Sequence, residues 1–301
     1  MDKSDLSGKP GEPTRPPAAR TAKQTGPASL YNPSLALEFF RLAGTPEQFP
    51  AGHQVFVENE QAKGFFSKGA RIYLLLEGEV ALTLKNKPLE LVLAGEIFGE
   101  IATIGGAPRS ATATVRRSCR VLALDEKQFH TSLQQMPEFA LMLMSVMAQR
   151  LRSSVAKLAG TKMTSIAAPV QKDSLDKKML TELQRALGDP SPTVAGAGQN
   201  VVTQGAVGAC MFVVTQGRIA IAVDGEVIEY VEPGGTFGEM ALVDRAGRAA
   251  TATAETGSAW FLVGRNEFLA MVKSKPAFGI ALLRSMSGRV RHFANLLRNL
   301  P

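Results

Sequence analysis

The chain has 301 residues, 45% of them hydrophobic and 20% charged, with a formal net charge of +7. That is a globular composition, long enough for two domains of ordinary size. It holds no apolar run near the roughly 20 residues of a membrane span and no apolar core of a signal peptide at its start, so a soluble, cytoplasmic protein is expected.

Residues 1–33, rich in Pro, Gly, Ser, Lys and Arg, bury too little apolar surface to offset chain ordering and read as a disordered basic tail. From Ser34 the pattern is helical, with Leu35, Leu37, Phe39, Phe40 and Leu42 on it and Gly44 and Pro46 stopping it. Short apolar strands follow through Val55, Phe56 and Val57, then Ile72 to Leu76, Val80 to Leu84 and Leu89 to Leu93, with turn signals at Glu77-Gly78-Glu79 and Lys87-Pro88. Strands at this spacing favour a sandwich or jelly roll.

Next comes the cassette FGEIATIGGAPRSATATV, residues 98–115, then a strand from Cys119 to Leu124 and a helix start at Asp125. A longer helix opens at Pro137. Its apolar residues, among them Phe139, Leu143, Met144, Met147 and Leu151, occur on more than one face, so it should pack on its own barrel and on a second body. Residues 159–174 read as a connector. A helical pattern resumes from Leu175 to Leu187 and ends at Gly188-Asp189-Pro190.

The second half then repeats the first. Phe98-Gly99-Glu100 returns as Phe237-Gly238-Glu239, Arg109 as Arg248, Phe129 as Phe268, Pro137 as Pro276 and Arg150 as Arg289, at one constant offset. Upstream, Ala51-Gly52 answers to Ala197-Gly198 with seven extra residues in the first half, near 61–69. The halves read as two copies of one fold in tandem, 34–158 and 175–301.

In each copy a Gly-Glu pair stands nine residues ahead of an Arg, with small residues around them. A segment so poor in bulk brings backbone N–H groups close to a ligand and makes an anion site. The Arg supplies a permanent charge with a planar fork suited to phosphate, and the Glu, an acceptor, suits a sugar hydroxyl. The pattern describes a pocket for a phosphate joined to a ribose. An internal ion pair that merely closes a loop would explain one such cassette; two in register favour a ligand.

These residues, with the Arg followed by Ser-Ala-Thr in one copy and Ala-Ala-Thr in the other, resemble the cyclic nucleotide-binding domain. The resemblance covers nearly everything but the tail and connector. It implies a mainly β fold with flanking helices, two eight-stranded β-rolls (jelly rolls) in tandem, each with a C-terminal helix that moves on binding. It also implies two sites: Gly99, Glu100, Ile101, Ala102, Arg109, Ser110 and Ala111, and Gly238, Glu239, Met240, Ala241, Arg248, Ala249 and Ala250. Glu100 and Glu239 would accept the ribose 2′-hydroxyl, Arg109 and Arg248 would pair with the cyclic phosphate, and backbone N–H groups would complete the anion site. In this family a Thr directly after the Arg accompanies cGMP. Ser110 and Ala249 stand there, so cAMP is the expected ligand, with cGMP also compatible at the first site.

The second copy departs from the pattern. Gly247 replaces the Pro seen as Pro108, and Asp244 and Arg245 replace Gly105 and Gly106, so Asp244 is expected to pair with Arg248 in the empty site. Tyr73, Tyr230 and Trp260 read as core aromatics, and His292 and Phe293 on the last helix as candidate lids over the purine.

Cys119 and Cys210 stand singly, with no His or Cys at metal spacing, so neither a disulfide nor a metal site is expected, and no cofactor other than the nucleotide ligand. No catalytic motif appears, and no helix-turn-helix follows the last helix, so neither catalysis nor DNA binding by that module is expected. The partners expected are a cyclic nucleotide and an effector protein not identified by sequence, with a homodimer through the C-terminal helices as one arrangement and no membrane partner. The alternatives are a scaffold with vestigial cassettes and a nucleic-acid binder using the basic tail with Arg116, Arg117 and Arg120.

Overall fold

A computed structural model describes residues 31–61, 71–158, 170–171, 175–244 and 246–298. Nearly all of the expected tail, most of the connector, Arg245 and the extra residues of the first half beyond Gln61 lie outside the described residues.

The first half opens with helix α1 (Pro33–Ala43), whose start follows from its sequence: Asn32 accepts hydrogen bonds from the N–H groups of Ser34 and Leu35, and Pro33 presets the first turn. Strands β1 (Thr45–Phe49), β2 (Gln54–Phe56), β3 (Ile72–Leu84), β4 (Lys87–Val92) and β5 (Ile97–Phe98) follow, then helix α2 (Glu100–Gly105), strand β6 (Thr112–Leu124) and helices α3 (Glu126–Gln135) and α4 (Glu138–Leu158). A capping box between Asp125 and Gln128 sets the start of α3. The strands form one antiparallel sheet in the order β1-β6-β3-β4, with β2 on β6 and β5 on β3.

The second half runs through helix α5 (Lys177–Ala186) and strands β7 (Thr193–Ala195), β8 (Asn200–Val202), β9 (Cys210–Gln216), β10 (Ile219–Val223), β11 (Glu226–Val231) and β12 (Thr236–Phe237). A short 3-10 turn (Glu239–Leu242), strands β13 (Thr251–Ala254) and β14 (Ser258–Gly264) and helices α6 (Arg265–Ser274) and α7 (Pro276–Arg298) complete it. Its eight strands form two sheets, β11-β10-β13-β8 and β12-β9-β14-β7.

The two copies thus divide the same roll differently. The sequence predicts two strands parted at Gly78, whereas β3 runs through it unbroken. Gly78 takes φ of 92°, and the pairing with β6 is irregular on both sides of it. A Cβ there would lie 2.5 Å from the Ser118 carbonyl oxygen, so glycine lets the strand bend without ending. The equivalent Gly217 separates β9 from β10, which belong to different sheets.

Between the rolls lies a helical layer. Phe39 stacks on Phe139 with ring centroids 3.5 Å apart, and Phe129 meets Phe39 edge to face, joining α1, α3 and α4. Burying each such ring contributes about 2–3 kcal/mol. The second face of α4 packs along α7, and one continuous apolar core includes residues of both halves. Met142, Met144 and Met147 are buried in it, where flexible thioethers fill irregular space between helices. Tyr73 and Trp260 are buried, and Tyr230 is half-buried beneath the guanidinium of Arg218, 4.1 Å from its ring. Cys119 and Cys210 are free thiols. Among the described residues no helix is long and apolar enough to cross a membrane.

Candidate functional site

In the first cassette, β5 delivers Gly99 at φ of 80°, a conformation that favours glycine, and α2 starts immediately after it. Arg109 returns to this turn. Its Nη1 donates to Gly99 O and to Thr103 Oγ1, both at 2.9 Å, its Nη2 donates to Arg71 O at 3.2 Å, and its guanidinium lies 4.2 Å from the centre of the Phe56 ring. A Cβ on Gly99 would sit 3.0 Å from Nη1, a second reason for glycine. Arg109 is 3% exposed, and burial pushes its pKa below the usual arginine value, opposed chiefly by the nearby Tyr73. Two carbonyls and a hydroxyl thus hold the buried guanidinium, a planar fork of the kind that suits an oxyanion.

The second cassette repeats this design. Gly238 takes φ of 74°, and Arg248 donates from Nη1 to Gly238 O and from Nη2 to Cys210 O, both at 2.9 Å. Phe212 stands beneath it in the place of Phe56, 5.3 Å from the guanidinium. The structure brings Gly238, Glu239, Met240, Ala241, Arg248, Ala249 and Ala250 to one pocket. Gly99, Glu100, Ile101 and Ala102 form the corresponding turn of the first half, with Ser110 and Ala111 following Arg109 into β6.

Each glutamate is tied to the C-terminal helix of its own half. Arg150 on α4 donates from Nη1 to Glu100 Oε1 at 2.9 Å, and Arg289 on α7 reaches Glu239 Oε1 from Nη1 at 2.5 Å. A further carboxylate faces each arginine: Glu90 on β4 is 3.9 Å from Arg150, and Glu229 on β11 is 3.9 Å from Arg289. Arg150 is held above the usual arginine value chiefly by the charge of Glu100. Burial raises Glu229 to about 7, against the attraction of Arg289.

The second pocket also takes residues from the first half. Leu151, Arg152 and Val155, all on α4, line it. Arg152 donates from Nε and Nη2 to the two carboxylate oxygens of Asp244 at 2.8 and 2.9 Å, and from Nη1 to Gly247 O at 2.9 Å. Asp244 therefore pairs with Arg152 and not with Arg248 as the sequence suggests: Arg248 is turned toward Gly238 and Cys210, while α4 presents a planar fork that matches the carboxylate. The reciprocal contact reaches backbone carbonyls and not a carboxylate. On α7, Ser287 donates to Ile101 O at 2.7 Å and Arg284 to Ile104 O at 3.4 Å, so α7 rests on α2. Of the two candidate lids, Phe293 lines the second pocket, and His292 stands at the edge of its ring.

Arg150, Arg152, Arg289, Glu90 and Glu229 carry no role in the site inferred from sequence. A signal for all five was present, since Glu90 recurs as Glu229, Arg150 as Arg289 and Arg152 as Arg291 at the constant offset. Arg116 and Arg117, considered for nucleic acid, are exposed on β6, where Arg117 pairs with Glu79 at 3.0 Å and Arg120 with Glu77 at 2.9 Å.

The family described as cyclic nucleotide-binding domain matches residues 46–136 and again residues 193–275, together more than half of the chain. The CRP-like cAMP-activated global transcriptional regulator of Mycobacterium tuberculosis is 28% identical over 135 residues, covering 43% of this chain and 57% of that protein. The cGMP-dependent protein kinase of Eimeria tenella is 22% identical over 232 residues, 77% of this chain and 20% of that protein. The chain spans less than two thirds of the length of these curated relatives. Among solved structures, the regulatory domain of Toxoplasma gondii PKA with cAMP aligns with 82% of this chain and 86% of its own, at 20% identity and a TM-score of 0.29. The protein belongs to the cyclic nucleotide-binding domain family and carries that domain twice in tandem.

Proposed function

We propose that this protein is a non-enzymatic sensor that binds cAMP in two sites, with cGMP also accommodated, and relays occupancy through α4 and α7 to a protein partner in the cytoplasm. The working units are residues 34–158 and 175–301. The observation that carries the reading is the pair of linked arginines in each half. Arg109 and Arg248 rest on backbone carbonyls that a phosphate would replace, while Glu100 and Glu239, placed to accept a ribose hydroxyl, are held by Arg150 and Arg289 on the C-terminal helices. A nucleotide that engages the glutamate alters its bond to the helix. Helix position and occupancy are then linked, by as much as the ligand's affinity differs between the two helix positions. The names of the matched relatives, a cAMP-activated regulator and a cGMP-dependent kinase, support the ligand class. The preference for cAMP rests on Ala249, which offers no hydroxyl to a guanine amino group.

Calorimetric titration of the full chain with cAMP and cGMP tests this. Two binding events, one lost in Arg109→Lys and the other in Arg248→Lys while both variants remain folded, are expected. Absence of heat and of any thermal shift with either nucleotide would overturn the reading and leave a scaffold with vestigial cassettes.

A further inference from the structure

The pocket of the second half extends beyond the groups that would hold ribose and phosphate. It is also lined by Ile221 and Ile228 from the roll, Leu151 and Val155 from α4, and Phe293 from α7. Apolar walls drawn from three directions suit a flat aromatic base, with a few polar groups left to fix its identity. Outside the cassette, the charged side chains that line the pocket are Arg152, Arg289 and Glu229. Arg152 is committed to Asp244 and Gly247, and Arg289 to Glu239. Both arginines can only donate. Glu229 can accept: it is 5% exposed, and its ion pair with Arg289 Nε spans 3.9 Å, longer than a hydrogen bond. A carboxylate so buried is costly unless a donor reaches it.

We propose that Glu229 is the base-reading residue of the second site and accepts a hydrogen bond from the exocyclic amino group of the bound purine. The proposal rests on the cyclic-nucleotide reading above and adds the group that recognises the base. Adenine offers N6–H2 and guanine N2–H2, so the shared chemistry is an amino-bearing purine edge. A cAMP molecule satisfies it with one donor. A cGMP molecule adds its neighbouring N1–H, which would favour guanine against the indication from Ala249. Glu90 holds the same register in the first half, opposite Leu82 as Glu229 is opposite Ile221. Its side chain is 54% exposed against 7% for Glu229, so water competes for it and discrimination there is weaker.

The test uses the full chain with Arg109→Lys to silence the first site, at about pH 8.5 so that Glu229 is ionised, and calorimetry with three probes: cAMP, cGMP and purine riboside 3′,5′-cyclic monophosphate, which has no amino group. The better of cAMP and cGMP should bind about 10- to 100-fold more tightly than the amino-free probe, the worth of one hydrogen bond to a charged group. Which of the two wins tells which edge faces Glu229. In Glu229→Ala that ratio should fall to about threefold or less. Equal weakening of all three probes would mean that Glu229 only positions Arg289, and overturns the proposal. Should the alanine variant fail to fold, Glu229→Gln decides. It keeps one acceptor but adds a donor, so the ratio should drop at least about threefold, and an unchanged ratio overturns the proposal. Binding of none of the probes to the parent would overturn the cyclic-nucleotide reading itself, and this inference with it.

Discussion

The two cassettes share one arrangement of arginine, glycine and glutamate and differ in what surrounds it. In both, an arginine rests on the carbonyl of a left-handed glycine over a phenylalanine ring, and a buried glutamate is tied to a helix arginine. Around the first, α2 is a regular helix closed by Gly105 and Gly106, and α7 touches it through a serine and an arginine that reach backbone carbonyls. Around the second, the turn is shorter, and Asp244, standing where the first half has Gly105, is gripped by Arg152 from the other half. The difference between glycine and aspartate at this one position thus goes with a contact to backbone carbonyls in one half and a bidentate ion pair across the halves in the other.

The largest effect should come from the shared chemistry. Removing the phosphate-facing charge, by Arg109→Ala or Arg248→Ala, should weaken nucleotide binding at that site by about 100-fold or more, since hydrogen bonds to charged groups contribute about 1.5–3 kcal/mol each. Calorimetry resolving the two sites checks it, and equal loss at both sites from either variant would abolish the assignment of one arginine to each pocket.

Next is the buried carboxylate present in both halves but enclosed only in the second. Glu229 has its pKa raised by burial from 4.5 to about 7. Between those values the folded state holds a proton that the unfolded chain has released. The stability this proton contributes is therefore fully present below about pH 4.5 and lost as pH rises through about 7, on the order of 3 kcal/mol. Chemical denaturation from pH 4.5 to 8 should show Glu229→Gln flattening the decline. Glu90→Gln should change it much less, because Glu90 is half exposed; equal effects would erase this difference between the halves.

The contact between the halves should yield smaller numbers. Arg152→Ala removes a partly buried bidentate pair and should cost about 1–2 kcal/mol of stability, with a change in affinity confined to the second site. A matching change in the first site would show that α4 acts on both sites together. Finally, Gly105→Asp imports the feature of the second half into the first. Its Cβ would meet Ser287 Oγ at 2.7 Å, although the Arg291 guanidinium lies 3.5 Å away and can pair with the new carboxylate. Destabilisation of about 1–2 kcal/mol is expected, mostly recovered in the double variant with Ser287→Ala. Unfolding midpoints of the single and double variants measure both.

Much of the architecture was legible along the chain. The constant offset between the halves, the glycines ahead of Glu100 and Glu239, and the nine-residue spacing to Arg109 and Arg248 mark two cassettes that fold alike, because left-handed turns and buried arginines impose local requirements that appear as local residue types. The helix start at Asp125 was legible for the same reason, whereas the cap at Asn32 fell within the stretch read as tail.

Only the tertiary structure decided what meets across distance. That β3 continues through Gly78 while its counterpart breaks at Gly217 depends on which strands lie alongside. The partner of Asp244 lies 92 residues away on a helix of the other half, and the choice of Arg152 over the nearer Arg248 is set by α4 lying against the 3-10 turn while Arg248 is turned to Gly238 and Cys210. Glu229 shows the same division. Its recurrence as the counterpart of Glu90 was in the sequence, but its enclosure beneath α4 and α7 was not, since burial, and with it the pKa and the reach into a pocket, belongs to the packed helices and not to the residue.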